Sequence, residues 1–272
     1  MTLPYLDGAD DRIFYRHWSF TDDPRAAVVF LHGFGEHSGL YHRLAAELGT
    51  HGVDLWALDH RGHGLSGGDR GDVGDFNRIV DNAGSLADLA ERSSPGTPLV
   101  IAGHSLGSLG AIFAALDAPR RYHAVILSGA PLSPLPGLTE PGSVDDGGEP
   151  FALDPAVLSS DPTYRDELEN DPLAFTEADV HALLSTLLPP AWERLAADLP
   201  SLDLPVLAVH GSDDLVAPLA GVYAWRDRLP QLRVAVFDGN AHDVLNDTAH
   251  REVADTIAEF ATAGARSAGV ER

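Results

Sequence analysis

The chain contains no cysteine and no lysine. Without cysteine there is no disulfide, no thiolate nucleophile and no thiolate metal site. Without lysine there is no Schiff base, no phosphate-loop lysine and no Ser–Lys dyad. Positive charge is scarce altogether: 18 basic residues, every one an arginine, face 41 acidic ones and leave a formal net charge of −23. Such a field repels nucleic acid and anionic membrane surfaces, so neither is expected as a partner, and it favours solubility. Long apolar runs are also missing, and a membrane-spanning helix needs about 20 apolar residues. Met1 to Asp11 carries neither the basic nor the apolar part of a secretion signal. The expectation is a cytoplasmic protein with no transmembrane segment.

What is present suits one large α/β domain with an insertion: 272 residues, 44% of them hydrophobic. Fully apolar or β-rich runs at Ala26–Leu31, Val53–Leu58, Leu99–Ala102, Tyr122–Leu127, Pro205–Val209 and Leu232–Phe237 read as strands, with a weaker one at Arg12–Trp18. Tyr41–Leu48, Asp75–Arg92, Ala220–Leu229 and Thr248–Phe260 read as helices between them. That alternation predicts a mostly parallel central sheet flanked by helices. Residues 131–200 break the rhythm. They hold eleven of the 19 prolines, a Gly/Asp/Glu-rich stretch from Gly137 to Glu149 and no comparable strand run. Phe175–Leu188 and Ala191–Leu199 look helical there, broken at Pro189-Pro190. The expected organisation is therefore a core of residues 1–130 and 201–272 with a mainly helical cap at 131–200. Leu183, Leu184, Leu187 and Leu188 either line an acyl channel or form the cap's own small core.

The chemistry centres on Gly103-His104-Ser105-Leu106-Gly107, which follows a buried strand and opens an apolar helix. This is the G-x-S-x-G pattern of a nucleophile elbow: a sharp turn lifts the serine oxygen clear of the backbone, and glycines relieve the crowding. The helix behind it points its free N–H groups at developing negative charge. His32-Gly33-Phe34-Gly35 follows another buried strand and suits an oxyanion loop in which Phe34 donates its main-chain N–H. Asp213 and Asp214 follow the strand ending near His210, and His242 follows the last strand. In a parallel sheet these positions meet at the carboxyl ends of the strands. The order Ser, Asp, His is that of an α/β-hydrolase triad: the histidine removes the serine proton, and the carboxylate fixes its tautomer. Only one of the adjacent pair can serve, since both side chains cannot reach one imidazole nitrogen, and the other is left to cap the turn. His60 and His63 invite a metal reading, but no further ligands accompany them, so no metal is expected.

With these residues in view, the chain resembles the monoacylglycerol lipase and lysophospholipase-like, or serine-aminopeptidase-like, branch of the α/β-hydrolases. The resemblance is carried by H-G-F-G-E-H-S-G from His32, D-H-R-G-H-G-L-S from Asp59, G-H-S-L-G from Gly103, G-S-D-D from Gly211 and N-A-H from Asn240. Asp161 to Leu173, ending N-D-P-L, resembles that family's cap. The resemblance implies an α/β-hydrolase fold with Ser105 as nucleophile, Asp214 as orienting acid and His242 as base, which leaves Asp213 to cap the turn. It implies an oxyanion hole from the N–H groups of Phe34 and Leu106, and no cofactor. Leu106 stands where the family usually has methionine, a change a backbone donor survives. Leu40 stands where an arginine usually organises the polar end of the pocket around the glutamate matching Glu36. Glu36, Leu40, Leu183, Leu184 and Leu187 are thus the expected substrate-binding positions. The function implied is hydrolysis of a small-molecule ester, monoacylglycerol-like or otherwise lipophilic, through an acyl-enzyme. An acyltransferase with the same triad and a non-catalytic ligand-binding hydrolase fold are the alternatives.

Overall fold

A computed structural model of the chain describes residues 4–7, 11–134, 154–175 and 186–263. The apolar runs become strands in the order expected. After the short β1 (Tyr5–Asp7) and β2 (Arg12–Trp18) come β3 (Ala26–Leu31), β4 (Val53–Leu58), β5 (Leu99–His104), β6 (Ala124–Ser128), β7 (Val206–Gly211) and β8 (Leu232–Phe237). Every residue of β3 to β7 is buried, because both faces of a parallel sheet are covered by helices. The eight strands form one sheet in the order β1-β2-β4-β3-β5-β6-β7-β8. Only the β1–β2 and β2–β4 pairings are antiparallel. The carboxyl ends of β3, β5, β6 and β7 therefore lie side by side at one edge of the molecule.

Helices α1 (His42–Thr50), α2 (Phe76–Ser93) and α3 (Leu106–Asp117) join the strands. Phe76, Ile79, Ala83, Leu86 and Ala90 of α2 recur at three- and four-residue spacing and face one core layer together with α3. The Asp75 carboxylate accepts from the Arg78 N–H (3.0 Å) and caps the helix. On the other face, α1 packs beside the closing helix.

Between β6 and β7 the described insertion contributes α4 (Pro155–Leu158), α5 (Pro162–Asn170) and α6 (Leu188–Asp198). Most of the helix read over Phe175–Leu188 lies outside the described residues, while the one read over Ala191–Leu199 starts earlier and includes Pro189 and Pro190. They occupy the first turn of α6, where proline removes no intrahelical hydrogen bond. Leu188, Ala191, Trp192 and Leu195 of α6 join the α2–α3 core layer. Leu158 and Tyr164 join the opposite one. The helix expected over Ala220–Leu229 is shorter: α7 spans Leu219–Tyr223, and turns follow it toward Pro230. The closing helix α8 runs His250–Ala263. Leu183, Leu184 and the stretch Gly137–Glu149 lie outside the described residues. Among the described residues no helix is long and apolar enough to cross a membrane.

Candidate active site

Ser105 sits at the junction of β5 and α3 with φ +50° and ψ −117°. It is the one non-glycine with positive φ among the described residues, a conformation costing about 1–3 kcal/mol. Surrounding hydrogen bonds impose it. The Ser105 N–H donates to the Ser128 carbonyl (2.8 Å) and the Ser108 N–H to the Ser105 carbonyl (2.9 Å). The Ser108 hydroxyl ties down the Gly103 carbonyl (2.8 Å). A Cβ on Gly103 would collide with the Gly107 carbonyl, and one on Gly107 with the Leu31 carbonyl. Only glycine admits this approach of strand, turn and helix.

One turn beyond β7, Asp214 is buried against two histidines and two backbone N–H groups. Oδ2 lies 2.9 Å from His242 Nδ1 and 3.0 Å from His210 Nε2, which also lies 2.7 Å from the Ala217 carbonyl. Oδ1 accepts from the N–H groups of Val216 (2.9 Å) and Ala217 (2.7 Å). Burial opposes the charge, but His242 and His210 outweigh it and hold the carboxyl well below the usual range. Asp213 does not cap the turn as expected. It accepts from its neighbour's hydroxyl, Ser212 Oγ (2.7 Å), at an exposed position. The second oxygen of Asp214 caps the turn, so one carboxylate holds both the loop and the imidazole.

An ionised Asp214 can only accept, so the His242 proton is on Nδ1 and Nε2 is free to take another. Gly129, φ +52°, lies under that ring: a Cβ there would sit 3.0 Å from His242 Cε1 and Nδ1. On another side, the His104 ring centroid is 4.7 Å from that of His242.

The loop after β3 passes against the serine. A Cβ on Gly33 would lie 3.3 Å from Ser105 Cβ, 3.0 Å from His104 Cδ2 and 2.8 Å from Glu36 Oε2. Histidines clamp this loop from behind. His63 Nε2 accepts from the Gly35 N–H (3.1 Å), and His32 Nε2 accepts from the His60 N–H (2.9 Å). His60 Nε2 returns a bond to the His32 carbonyl (3.1 Å). Burial keeps all three neutral, lowering His63 to about 4, His60 to about 3 and His32 well below 6.5. The pair that suggested a metal is a backbone clamp. Phe34 meets the insertion edge-on, its ring 5.6 Å from that of Phe175, and the Phe175 N–H donates to the Gly35 carbonyl (2.8 Å).

Residues 22–249 match the family Hydrolase_4: Serine aminopeptidase, S33. The chain belongs to this family. It is 32% identical to the monoacylglycerol lipase of Mycolicibacterium smegmatis over 264 residues, covering 92% of each chain. It is 34% identical to the monoglyceride lipase of Homo sapiens over 238 residues, 81% of this chain and 76% of that one. The crystal structure of Paleococcus ferrophilus monoacylglycerol lipase superposes with a TM-score of 0.77 at 26% identity, covering 93% of this chain and 99% of that one. Within the α/β hydrolases these relatives make the chain a serine ester hydrolase.

In this Hydrolase_4 member the remaining expected positions fall in different places. Glu36 is turned inward: Oε2 accepts from the Gly33 N–H (2.8 Å) and the Tyr41 hydroxyl (2.6 Å). Leu40 is 1% exposed and packs in the core layer of α1 and α8, which corrects its reading as a pocket residue. An apolar side chain has no reason to stay at the polar end of a pocket when a core lies beneath it. Leu187 is half-buried and lines a cleft of about 600 Å³ together with Phe34, Phe76, Phe113 and Phe175, whereas Leu188 is core. Sequence reasoning missed His210, Gly129, Asp243 and Asp247. Gly129 had a signal, a glycine ending a buried strand beside the elbow strand. Buried Asp247 accepts from the N–H groups of Ala241 (2.7 Å), Ser160 (3.0 Å) and Thr248 (2.7 Å), pinning the His242 loop to the insertion.

Proposed function

We propose that this chain hydrolyses small lipophilic carboxylic esters, monoacylglycerols foremost, through an acyl-enzyme on Ser105. The observation that carries the reading is the imidazole of His242. It is held at Nδ1 by a carboxylate that other donors keep ionised, with Nε2 left basic, in the same edge as a serine forced out of its strand. Ser105 Oγ attacks the ester carbonyl while His242 Nε2 takes its proton. The oxyanion then forms against the N–H groups of Phe34 and Leu106 at the start of α3, where each donor is worth about 10²–10³ in rate. His242 passes the proton to the departing alcohol, and the same base activates water to release the acid.

The substrate class rests on the relatives, which bear the names of monoacylglycerol lipases, and on the cleft. Four phenylalanines and Leu187 give that cleft an apolar wall reaching Phe34, suited to an acyl chain. Residues 131–200 act as a cap over this wall, with the stretch from Asp171 to Phe175 resting on the loop of Gly35 and His37. A panel of monoacylglycerols graded by acyl length, with diacylglycerols, triacylglycerols and glycerol as a competing acyl acceptor, tests the reading. Free fatty acid released fastest from monoacylglycerols supports it. Release of new esters in place of acid would make the chain an acyltransferase.

A further inference from the structure

Beneath the elbow lies a group of acid–base side chains that the mechanism above does not use. Glu36, His104 and Asp243 are all at most 5% exposed, and their polar atoms lie within 4.8 Å of one another. Each comes from a different part of the site. Glu36 follows the loop after β3, His104 precedes Ser105, and Asp243 follows His242. Tyr41, ahead of α1, donates its hydroxyl to Glu36. Tyr164, from α5, faces Asp243, yet neither its hydroxyl nor Asp243 Oδ1 makes a hydrogen bond of normal geometry. His104 and His242 are the other titratable groups facing this pair, and His104 Nε2 lies 3.9 Å from Glu36 Oε1.

Two carboxylates this close and this far from water cannot both carry charge without a cation between them. His104 does not supply it, because burial lowers its pKa. We propose that Glu36 and Asp243 hold one proton between them, and that this proton keeps the Gly33–Phe34 loop in register with the loop bearing His242. The pair positions; it does not touch the reacting atoms. Its catalytic consequence rests on the serine mechanism proposed above, while the proton itself does not. Burial first, and the Asp243 charge second, push Glu36 up to about 8. The pair thus holds its proton at neutral pH. Above that, two like charges press the two loops apart.

Infrared spectra of the full chain from pH 6 to 10, with kcat measured over the same range, test this. The wild type should show a neutral-carboxyl carbonyl stretch at pH 7, lost with a midpoint near 8. From pH 7 to 9 kcat should fall about tenfold on that midpoint with little change in KM. In Glu36→Gln the band disappears and the alkaline decline goes with it. In Asp243→Asn the like charge is gone, and the midpoint moves down by about one unit or more. Tyr41→Phe removes a bond that favours the ionised form, so its midpoint moves up. The wild-type spectrum decides the matter even if a variant fails to fold. No neutral carboxyl at pH 7 would overturn the proposal, as would an alkaline decline that survives in Glu36→Gln. So would a pH profile that changes when the wild type is dialysed against a chelator and returns with zinc. A band with the stated midpoint in a protein inert toward every ester would uphold the shared proton and refute the serine mechanism.

Discussion

Asp213 and Asp214 are neighbours with opposite fates, and their backbone directions explain it. Asp214 turns inward to His242, His210 and two backbone N–H groups, whereas Asp213 turns out to Ser212. Asp214→Asn keeps an acceptor for Val216 and Ala217 but places an amide against His242 Nδ1, and the imidazole takes the wrong tautomer. The expected loss is on the order of 10⁴ in kcat, while Asp213→Asn remains near wild type; steady-state kinetics of the two folded variants at neutral pH checks it. Gly129→Ala is the second test at this scale. Its methyl group would press on His242 at a backbone angle that disfavours any side chain. The expected outcome is a fall of about tenfold or more in kcat, with a stability cost near 1–2 kcal/mol, read from kinetics and denaturant unfolding.

At the scale of elements, the site hangs on loops that other loops hold. Asp247 is the chief tie between the His242 loop and the insertion. Asp247→Ala leaves the buried N–H of Ala241 without an acceptor, worth about 1–3 kcal/mol, while the exposed Ser160 and Thr248 turn to water. Unfolding in urea should show a loss of about 1–3 kcal/mol, with kcat reduced in the protein that stays folded. In α6, Leu188→Ala should cost about 2–5 kcal/mol, because that side chain is core. Leu187→Ser, on the half-buried preceding position, should shift the preferred acyl length with little change in stability. Legibility follows the same line. The strands and the elbow could be read because uninterrupted apolar runs report two-sided burial, and because Gly103 and Gly107 have no substitute. Pro189 and Pro190 hid the start of α6, because proline is tolerated in the first turn of a helix. Glu36, Asp243 and His210 were invisible as partners: apolar periodicity reports which residues are inside, not which buried polar groups meet.

For the whole molecule, the buried titratable groups set a pH window. His32, His60, His63 and His104 are all lowered by burial from an ordinary 6.5, so the unfolded chain takes up protons before the folded one. Their contribution is present above pH 6.5 and is lost as the pH falls toward about 4. Glu36 works the other way: its proton favours the fold below 4.5, and that contribution is lost as the pH rises to about 8. Four groups outweigh one between pH 4.5 and 6.5, and Glu36 acts alone above that. Thermal unfolding should therefore show Tm rising from pH 4.5 to 6.5 and declining gently to 8; a Tm higher at pH 5 than at 7 would contradict it. The proposed catalysis turns on a covalent bond to one serine. Rapid acid quench of the enzyme with a slowly turned-over ester, followed by intact and peptide mass measurement, looks for that bond directly. The prediction is one acyl group per chain, on Ser105, accumulating in the wild type and absent from a folded Ser105→Ala protein whose kcat is lower by about 10⁴–10⁶. An acyl group on any other residue, or Ser105→Ala turning over at the wild-type rate, would contradict it.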